Sequence, residues 1–219
     1  MVIYMNQKEN TKERIIKAAS KLFAQKGFAK TTTQEICDAA SANIAAVNYH
    51  FGGKGNLYRM VWKYFDDLES KRIAAYIKED ASPEERLRSF VKMRVEETLS
   101  DGEIGYLPRL VRREMGDPSI FHEELHNSVI EKWRNRATEL LREIVGSTID
   151  NHALHVAGFC AFSPMIHLLD ILNNPHPPKF TKKHPHLEDD PDLLVEMLCT
   201  FALAGLREVN RKVQKQGNL

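Results

Sequence analysis

The chain has 219 residues, of which 42% are hydrophobic and 28% charged; these are the proportions of an ordinary folded protein and exclude a disordered or fibrous one. No apolar run reaches the roughly 18 residues of a membrane span, and Met1 to Tyr4, followed by polar residues, lack the apolar core of a signal peptide. Cys37, Cys160 and Cys199 form no CxxC pair, and their odd number argues against a disulfide framework. We therefore expect a cytoplasmic protein without membrane contact, whose cysteines are buried as small apolar residues.

The formal net charge of +1 hides an uneven distribution along the chain. Residues 1–60 carry nine basic and four acidic side chains, whereas residues 61–219 carry 22 basic and 26 acidic ones. A positive N-terminal segment joined to a mildly negative remainder is typical of a DNA-binding segment beside a ligand or partner domain. A solvated lysine face would give a similar count, so the charge alone does not decide between the two.

The first predicted helix begins after Asn10 or Thr11, either of which can cap it, and stops at Gly27. Its apolar residues recur at the i, i+3, i+4, i+7 spacing of a buried stripe: Ile15, Ile16, Ala19, Leu22 and Phe23. This spacing predicts an amphipathic helix that packs against a core.

Two shorter helices follow. Thr32 and Glu35 form a capping box that opens a second helix of about two turns. Asn43 can cap a third helix of about seven residues, which ends at Phe51 before a pair of glycines. Val47 and Phe51 are apolar and are expected to face inward.

The rest of the chain is also predicted to be helical. The expected helices cover residues 54–78, 83–99, 107–115, 118–145, 154–172 and 191–213. Three of them open on a capping residue followed by proline, at Ser82-Pro83, Asp117-Pro118 and Asp190-Pro191. Pro164 should kink its helix, and residues 173–189, rich in proline, histidine and lysine, should form an irregular loop. No segment alternates with period two, so we expect an all-α fold of nine or ten helices.

The first three helices form a pattern with a functional meaning. A short helix, a tight turn and a second short helix behind a longer one place a recognition helix in the major groove of DNA. Small residues that allow close approach and amides that can bond base edges lie on or near its outward side: Asn43, Ala45, Ala46 and Asn48. Groups that can hold phosphates follow: Tyr49, His50 and Lys54. Alternatively, Tyr49, His50 and Phe51 form a helix end that only packs against the next helix.

The same segment carries a family resemblance. The residues concerned are Ala18-Ala19, Leu22-Phe23, Gly27-Phe28, Thr31-Thr32, Ile36, Ala40, Val47-Asn48-Tyr49-His50-Phe51, Lys54 and Leu57-Tyr58. Together they closely resemble the DNA-binding domain of the tetracycline-repressor (TetR) family. The resemblance implies a dimer that places two recognition helices in successive major grooves of a palindromic operator. It usually implies a repressor that a small molecule releases.

On that basis the DNA contacts are assigned to Thr33, Asn43, Ala45, Ala46, Asn48, Tyr49, His50 and Lys54. The chain departs from the family pattern at three places. Ser41 stands where a turn glycine is usual, Ile44 where a polar or basic residue is common, and Gly55-Asn56 where an acidic pair is frequent. Residues 110–119 additionally resemble the CecR-like subgroup of the family.

A ligand site is expected in the C-terminal part, because ligand pockets are mostly apolar with a few polar groups. The candidates are Phe90, Met93, Arg94, Phe121, Phe159, Phe162, Met165 and His167. Arg94 and His167 could anchor a polar group of an unidentified effector, or each could pair with a neighbouring carboxylate. Core packing explains the apolar candidates equally well.

Histidines crowd the second half of the chain and raise metal sensing as an alternative. His152 and His155 could supply only part of a metal site, which needs three or four converging ligands. His176, His184 and His186 are interleaved with prolines that favour extended backbone. We expect no metal and no cofactor, and solvated loop histidines instead.

Two other classes of protein would carry different features. An enzyme is not expected, because no HExxH, GxSxG, glycine-rich phosphate loop or paired-carboxylate pattern is present. A helical protein-interaction module would show no salt-dependent DNA affinity, which separates it from a DNA-binding regulator.

The expected architecture has a helix-turn-helix DNA-binding domain at residues 1–57 and a helical ligand-binding and dimerisation domain at residues 58–219. Helices near 154–172 and 192–213 are predicted to form the homodimer interface as a four-helix bundle. Small residues on their faces would permit close packing: Gly158, Ala161, Ala202 and Gly205. An effector would then change the separation of the two recognition helices.

Overall fold

The computed structural model describes residues 10–172 and 189–216. These residues form the helices α1 (Thr11–Lys30), α2 (Thr33–Ala40), α3 (Ile44–Phe51), α4 (Lys54–Tyr76), α5 (Pro83–Leu99), α6 (Tyr106–Gly116), α7 (His122–Leu125), α8 (Glu131–Val145), α9 (Asn151–Leu172) and α10 (Pro191–Gln216). A 3-10 turn precedes α6 and a π turn joins α7 to α8. No strand occurs in the described ranges, so the all-α prediction is confirmed.

The beginning of α1 follows the sequence prediction, but its end does not. Asn10 forms a capping box with Glu13, in which the Asn10 Oδ1 accepts from the Glu13 N–H at 2.9 Å. Gly27 has a φ of 78°, a left-handed conformation that glycine adopts without a side-chain clash. The helix therefore bends at Gly27 and continues to Lys30 instead of stopping there.

The turn between α2 and α3 is tight and left-handed. Ser41, which stands where the resemblance favours glycine, has φ 48° and ψ 49°. Its N–H donates to the Asp38 carbonyl at 3.2 Å, and the Ala42 N–H donates to the Cys37 carbonyl at 2.9 Å. The turn keeps its geometry despite the serine, at a cost of about 1 kcal/mol for a Cβ in this region.

The chain folds into two compact units. One contains the described residues of 1–67 together with 101–125, and the other contains 68–100 together with those of 126–219. The predicted functional division at residue 57 stays a prediction, and these units divide the chain differently. Helix α4 begins in the first unit and ends in the second.

An aromatic cluster forms the core of the N-terminal unit. The Tyr58 ring lies 4.9 Å from that of Phe23 and 5.0 Å from that of Phe28. The Phe121 ring packs on Phe28 at 5.1 Å. Phe121 therefore contributes to the core of the N-terminal unit, and its predicted place in a C-terminal ligand pocket is not supported by the geometry.

A buried carboxylate explains how Phe121 is positioned. Glu114, 2% exposed, accepts from the Tyr58 hydroxyl at 2.6 Å and from the Ser119 N–H and hydroxyl at 2.9 Å. These bonds hold residues 117–121 as a loop, so the helix expected from Asp117-Pro118 begins only at His122.

The C-terminal unit has an aliphatic core formed by α5, α8, α9 and α10. Its fully buried members include Leu87, Val91, Val95, Leu141, Val145, Leu154, Leu203 and Leu206. Pro164 lies inside α9. Cys37 and Cys199 are buried as expected, whereas Cys160 is exposed. The prediction for Cys160 was wrong because it lies on the outer side of α9.

The strained turn gives the first testable prediction. Ser41→Gly should raise the free energy of unfolding by about 0.5–1 kcal/mol, because glycine removes the left-handed penalty but gains some freedom in the unfolded chain. Chemical denaturation measures the change.

Ser147→Gly is the matched control. Ser147 is exposed, lies in a turn, and has no positive φ. The same substitution there should lower stability by a few tenths of a kcal/mol. Equal effects at the two positions would contradict the strain assigned to Ser41.

Candidate DNA-binding site

Helix α3 is short and capped at both ends. The Asn43 Oδ1 accepts from the Ala46 N–H at 2.7 Å, and the Gly52 N–H donates to the Asn48 carbonyl at 2.9 Å. Val47 is fully buried and Phe51 is 6% exposed, as predicted. These two anchors fix which face of α3 points away from the core.

The opposite face of α3 is open to solvent. Ala45, Asn48 and His50 are exposed, and the Tyr49 side chain is 85% exposed with its ring edge-on to that of His50 at 5.0 Å. Ile44, at the start of the helix, is 45% exposed. Ile44 and Tyr49 are therefore two large side chains of α3 that contact solvent instead of the core of the unit.

The structure gives the eight predicted DNA-contact residues different degrees of exposure. Asn43, Ala45, Asn48, Tyr49 and His50 are exposed, whereas Thr33, Ala46 and Lys54 are half-buried. Asn43 uses its carbonyl oxygen to cap α3, so only its amino group is available to a base. The side chain of Asn48 makes no hydrogen bond to any described residue, which leaves both ends of its amide for recognition.

Lys54 has an internal role that the sequence did not indicate. Its Nζ donates to the carbonyls of Phe28 at 3.0 Å and Thr31 at 2.9 Å, and lies 4.3 Å from the centre of the Phe28 ring. The ammonium thereby ties the start of α4 to the end of α1. One of its three N–H groups remains for a phosphate, so the phosphate contact stays a prediction.

Arg14 is a second residue whose role the sequence did not indicate. Its Nε donates to the Ala40 carbonyl at 3.1 Å and its Nη2 to the Ser41 carbonyl at 3.4 Å. Arg14 therefore holds the end of α2 and the turn before α3. Nothing in the spacing of α1 distinguishes this arginine from the other exposed basic residues.

Lys26 and Glu35 connect α1 to α2. The Lys26 Nζ lies 2.6 Å from the Glu35 Oε1, and the Thr32 N–H and hydroxyl donate to the Glu35 Oε2 at 2.9 and 3.0 Å. The hydrogen bond from Lys26 and then those from Thr32 lower the pKa of Glu35 to about 2.

The predicted ligand residues are only partly brought together. In the C-terminal unit, Phe90 packs on Phe162 at 5.8 Å, and the Arg94 guanidinium lies 5.0 Å from the centre of the Phe90 ring. Met93 and Met165 are buried.

Two other candidates point away from that core: Phe159 is 74% exposed and His167 is also exposed. Arg94 pairs with neighbouring carboxylates, which was one of its two predicted roles. Of the histidines considered for metal, His176, His184 and His186 lie outside the described residues. Within residues 10–172 and 189–216, no group of three or more potential ligands could hold a metal ion.

The exposed short helix, the left-handed turn before it and the basic side chains around it define a helix-turn-helix DNA-binding unit. Comparison with known families agrees with this class. Residues 15–61 match the model of the bacterial regulatory proteins of the tetR family, and residues 83–170 match the C-terminal domain of the HTH-type transcriptional dual regulator CecR. Residues 15–61 therefore form a DNA-binding domain of the tetR family type, and residues 83–170 are similar to the C-terminal domain of one of its regulators. The tetR family consists of DNA-binding regulators and not of enzymes.

Individual relatives are similar over parts of their length. The chain is 41% identical over 66 residues to the probable HTH-type transcriptional regulator YttP of Bacillus subtilis, covering 30% of this chain and 32% of the relative. It is 27% identical over 153 residues to the dual regulator CecR of Shigella flexneri, covering 63% and 66%. The chain thus spans about a third and just under two thirds of these relatives.

Solved structures share the fold over nearly the whole chain. The fatty acid degradation regulator FadR of Bacillus halodurans aligns with a TM-score of 0.67 at 20% identity, covering 92% of this chain and 99% of that one. A TetR-like regulator from Rhodococcus aligns with a TM-score of 0.66 at 17% identity, covering 90% and 95%. Among the described residues, none of the helices has the length and apolar character needed to cross a membrane.

The pair between Lys26 and Glu35 gives a prediction about pH. Because the folded-state pKa of Glu35 lies below its unfolded value of about 4.3, the charged carboxylate stabilises the fold above that pH, and the contribution is lost as the pH falls toward 2. Lys26→Met should raise the pKa of Glu35 toward the ordinary value without reaching it, since Thr32 still donates. An NMR titration of the side-chain carboxyl measures this.

Lys21→Met is the control, since Lys21 is exposed on the same helix. It should leave the pKa of Glu35 at about 2. A Glu35 that titrates identically in wild type and Lys26→Met would remove Lys26 as the main cause.

Proposed function

We propose that the protein is a homodimeric transcriptional repressor that binds operator DNA through α3 and leaves it when a small-molecule effector binds the C-terminal unit. The observation that carries the DNA-binding part is the solvent-exposed face of α3, with an uncommitted Asn48 amide beside an 85% exposed Tyr49. Among the described residues, no group of side chains supports the alternative of a metal-responsive regulator.

Helix α3 has the dimensions and chemistry for the major groove. Its eight residues extend about 12 Å, which matches a groove about 12 Å wide. The Asn48 amide can bond both hydrogen-bonding positions of an adenine, and Ile44 can contact a thymine methyl. The small side chains of Ala45 and Ala46 allow the backbone of α3 to come close to the floor of the groove.

The flanking residues are suited to the phosphate backbone. The Tyr49 hydroxyl and the His50 imidazole lie at the end of α3, where they can donate to phosphate oxygens. Thr33 opens α2, whose N-terminal N–H groups attract anions. Lys54 has one N–H left for a phosphate.

A dimer is supported by an apolar surface on the C-terminal unit. Helices α9 and α10 pack together and expose large apolar side chains: Val156 (49%), Phe159 (74%), Ile166 (53%), Met197 (40%) and Phe201 (74%). Single exposed apolar residues are common on protein surfaces, but several on two adjacent helices form a larger apolar surface, which is typical of a protein interface. A second copy of the same surface would cover it across a two-fold axis.

The small residues expected at this interface divide between two faces. A Cβ at Gly158 would come within 2.7 Å of the Leu141 side chain, and Ala202 is 5% exposed. Both therefore face the core of their own unit, which does not favour their predicted place in the dimer interface. Gly205 is exposed, with nothing within 4 Å of its Cβ position, and fits the proposed interface.

Two substitutions separate base recognition from backbone binding. Lys54→Ala should weaken binding to all duplexes and reduce the slope of log affinity against log salt by about one, because one phosphate contact is lost. Asn48→Ala should change the preferred sequence selected from a random duplex pool and leave the slope unaltered. Fluorescence anisotropy at several salt concentrations gives both values.

Lys92→Ala removes an exposed lysine of the C-terminal unit and is the control for net charge. It should reproduce the wild-type slope and sequence preference. A Lys54→Ala protein with the wild-type slope would show that Lys54 only holds the fold, and an unchanged preference in Asn48→Ala would show that this amide reads no base.

The dimer is tested at Phe201. Phe201→Arg should shift the protein toward monomer in sedimentation velocity and weaken operator binding at the same time, because a buried arginine would face its own copy without a partner. Ile120→Arg is the matched control, since Ile120 is 85% exposed on the N-terminal unit. A Phe201→Arg protein that sediments as the wild-type dimer would place the interface elsewhere.

A further inference from the structure

Two buried glutamates and two half-buried arginines lie together in the C-terminal unit, between α4 and α5. Glu69 and Glu97 are each 1% exposed. The Arg94 guanidinium contacts both, with Nη2 against Glu69 Oε1 and Nη1 at 2.7 Å from Glu97 Oε2. The Arg72 Nε donates to Glu97 Oε1 at 3.0 Å. We call Glu69, Arg72, Arg94 and Glu97 the buried ion cluster.

The ion cluster is incompletely satisfied. Three of its buried polar atoms have no hydrogen-bond partner among the described residues: Glu69 Oε2, Arg72 Nη2 and Arg94 Nε. Buried polar groups are normally paired, and a partly paired buried ion network is less favourable than an apolar core. The cluster therefore contributes little to the stability of the fold. The unpaired acceptor Glu69 Oε2 and the unpaired donors Arg72 Nη2 and Arg94 Nε point to a ligand.

An aromatic pair adjoins the cluster. The Arg94 guanidinium lies 5.0 Å from the centre of the Phe90 ring, and Phe90 packs edge-on to Phe162 at 5.8 Å. Phe90 and Phe162 are only partly buried against the core of the unit. An apolar wall that meets a few polar groups is the usual composition of a small-molecule site.

We infer that the buried ion cluster and the Phe90 and Phe162 rings recognise the effector, and that the effector is a neutral molecule with a planar apolar body and a donor beside an acceptor, as in a carboxamide. The donor would bond Glu69 Oε2, and the acceptor would bond the free N–H groups of Arg72 and Arg94. Two carboxylates already balance two guanidiniums, so a ligand with a net charge would bury that charge without a partner. This inference rests on the proposed function, because it names the class of effector.

Three fragments with one ring and different polar ends test the inference: benzamide, benzoate and benzamidine. Fragments of this size bind with millimolar dissociation constants, which protein-observed NMR titration can measure. The wild-type chain should bind benzamide about tenfold more tightly than benzoate or benzamidine. Equal affinities, or tighter binding of either ion, would overturn the inference and leave the cluster as a structural ion network.

Glu69→Gln should invert the ranking. Loss of one carboxylate leaves the cluster with a net positive charge, so benzoate should become the tightest of the three fragments, by about tenfold over benzamide. Glu139→Gln, an exposed residue on α8, should keep the wild-type ranking. A Glu69→Gln protein that still prefers benzamide would contradict the role given to Glu69.

A second variant tests the inference if the Glu69→Gln protein does not fold. Phe162→Leu should weaken the binding of all three fragments to a similar extent, because it changes the apolar wall and not the polar groups. Unaltered benzamide affinity would overturn the inference.

Duplex DNA binding by the same preparations tests the proposed function separately. A chain that binds DNA but shows no benzamide preference contradicts only the effector class, whereas a chain that selects benzamide but binds no DNA contradicts only the regulator.

Discussion

The exposed face of α3 depends on how the N-terminal unit satisfies the carbonyls at its helix ends. A helix leaves its last carbonyls without partners in the same helix, and cations near that end are favourable. Three basic side chains supply the missing donors from other elements. Arg113 on α6 donates to the carbonyls of Ala24 and Gln25 just before the bend at Gly27, while Lys54 and Arg14 serve the ends of α1 and α2. The interior of the unit therefore needs nothing from the outer side of α3, which stays exposed and is the surface proposed to bind DNA.

This arrangement changes the meaning of the N-terminal charge. The excess of basic over acidic residues suggested a surface prepared for phosphates, but Arg14 and Lys54 are bound to carbonyls, and Lys26 and Arg59 face carboxylates. Since each phosphate contact contributes to the salt dependence of binding, the electrostatic part of DNA affinity is smaller than a residue count suggests. In the proposed function, sequence preference would then rest more heavily on the few side chains of α3 that are proposed to contact bases.

The sequence predicted the start of α1, the capping box of α2 and both ends of α3, because each is determined by neighbouring residues. It did not predict the roles of Arg14, Lys54 or Arg113, since their partners are main-chain carbonyls far along the chain, and such pairing leaves no pattern in the spacing. The late start of α7 has the same cause: Asp117-Pro118 is a good local start signal, but Ser119 bonds the buried Glu114 instead. Periodicity also could not assign Gly158 and Ala202, because α9 and α10 each carry two faces of small and apolar residues. Only packing against Leu141 and the other core residues separates the face within one unit from the face left open.

Two buried carboxylate sites in this chain contrast in a way that bears on function. Glu114 accepts bonds from a hydroxyl, an N–H and a second hydroxyl, so both of its oxygens are paired. Glu69 has the same degree of burial but one unpaired oxygen, beside two guanidiniums with unpaired N–H groups. Burial removes the hydration of both carboxylates, which is unfavourable unless hydrogen bonds replace it. At Glu114 the hydrogen bonds are complete, so a structural role suffices to explain this residue. A structural role does not explain the incomplete set at Glu69, and a partner molecule that supplies the missing bonds resolves the difference.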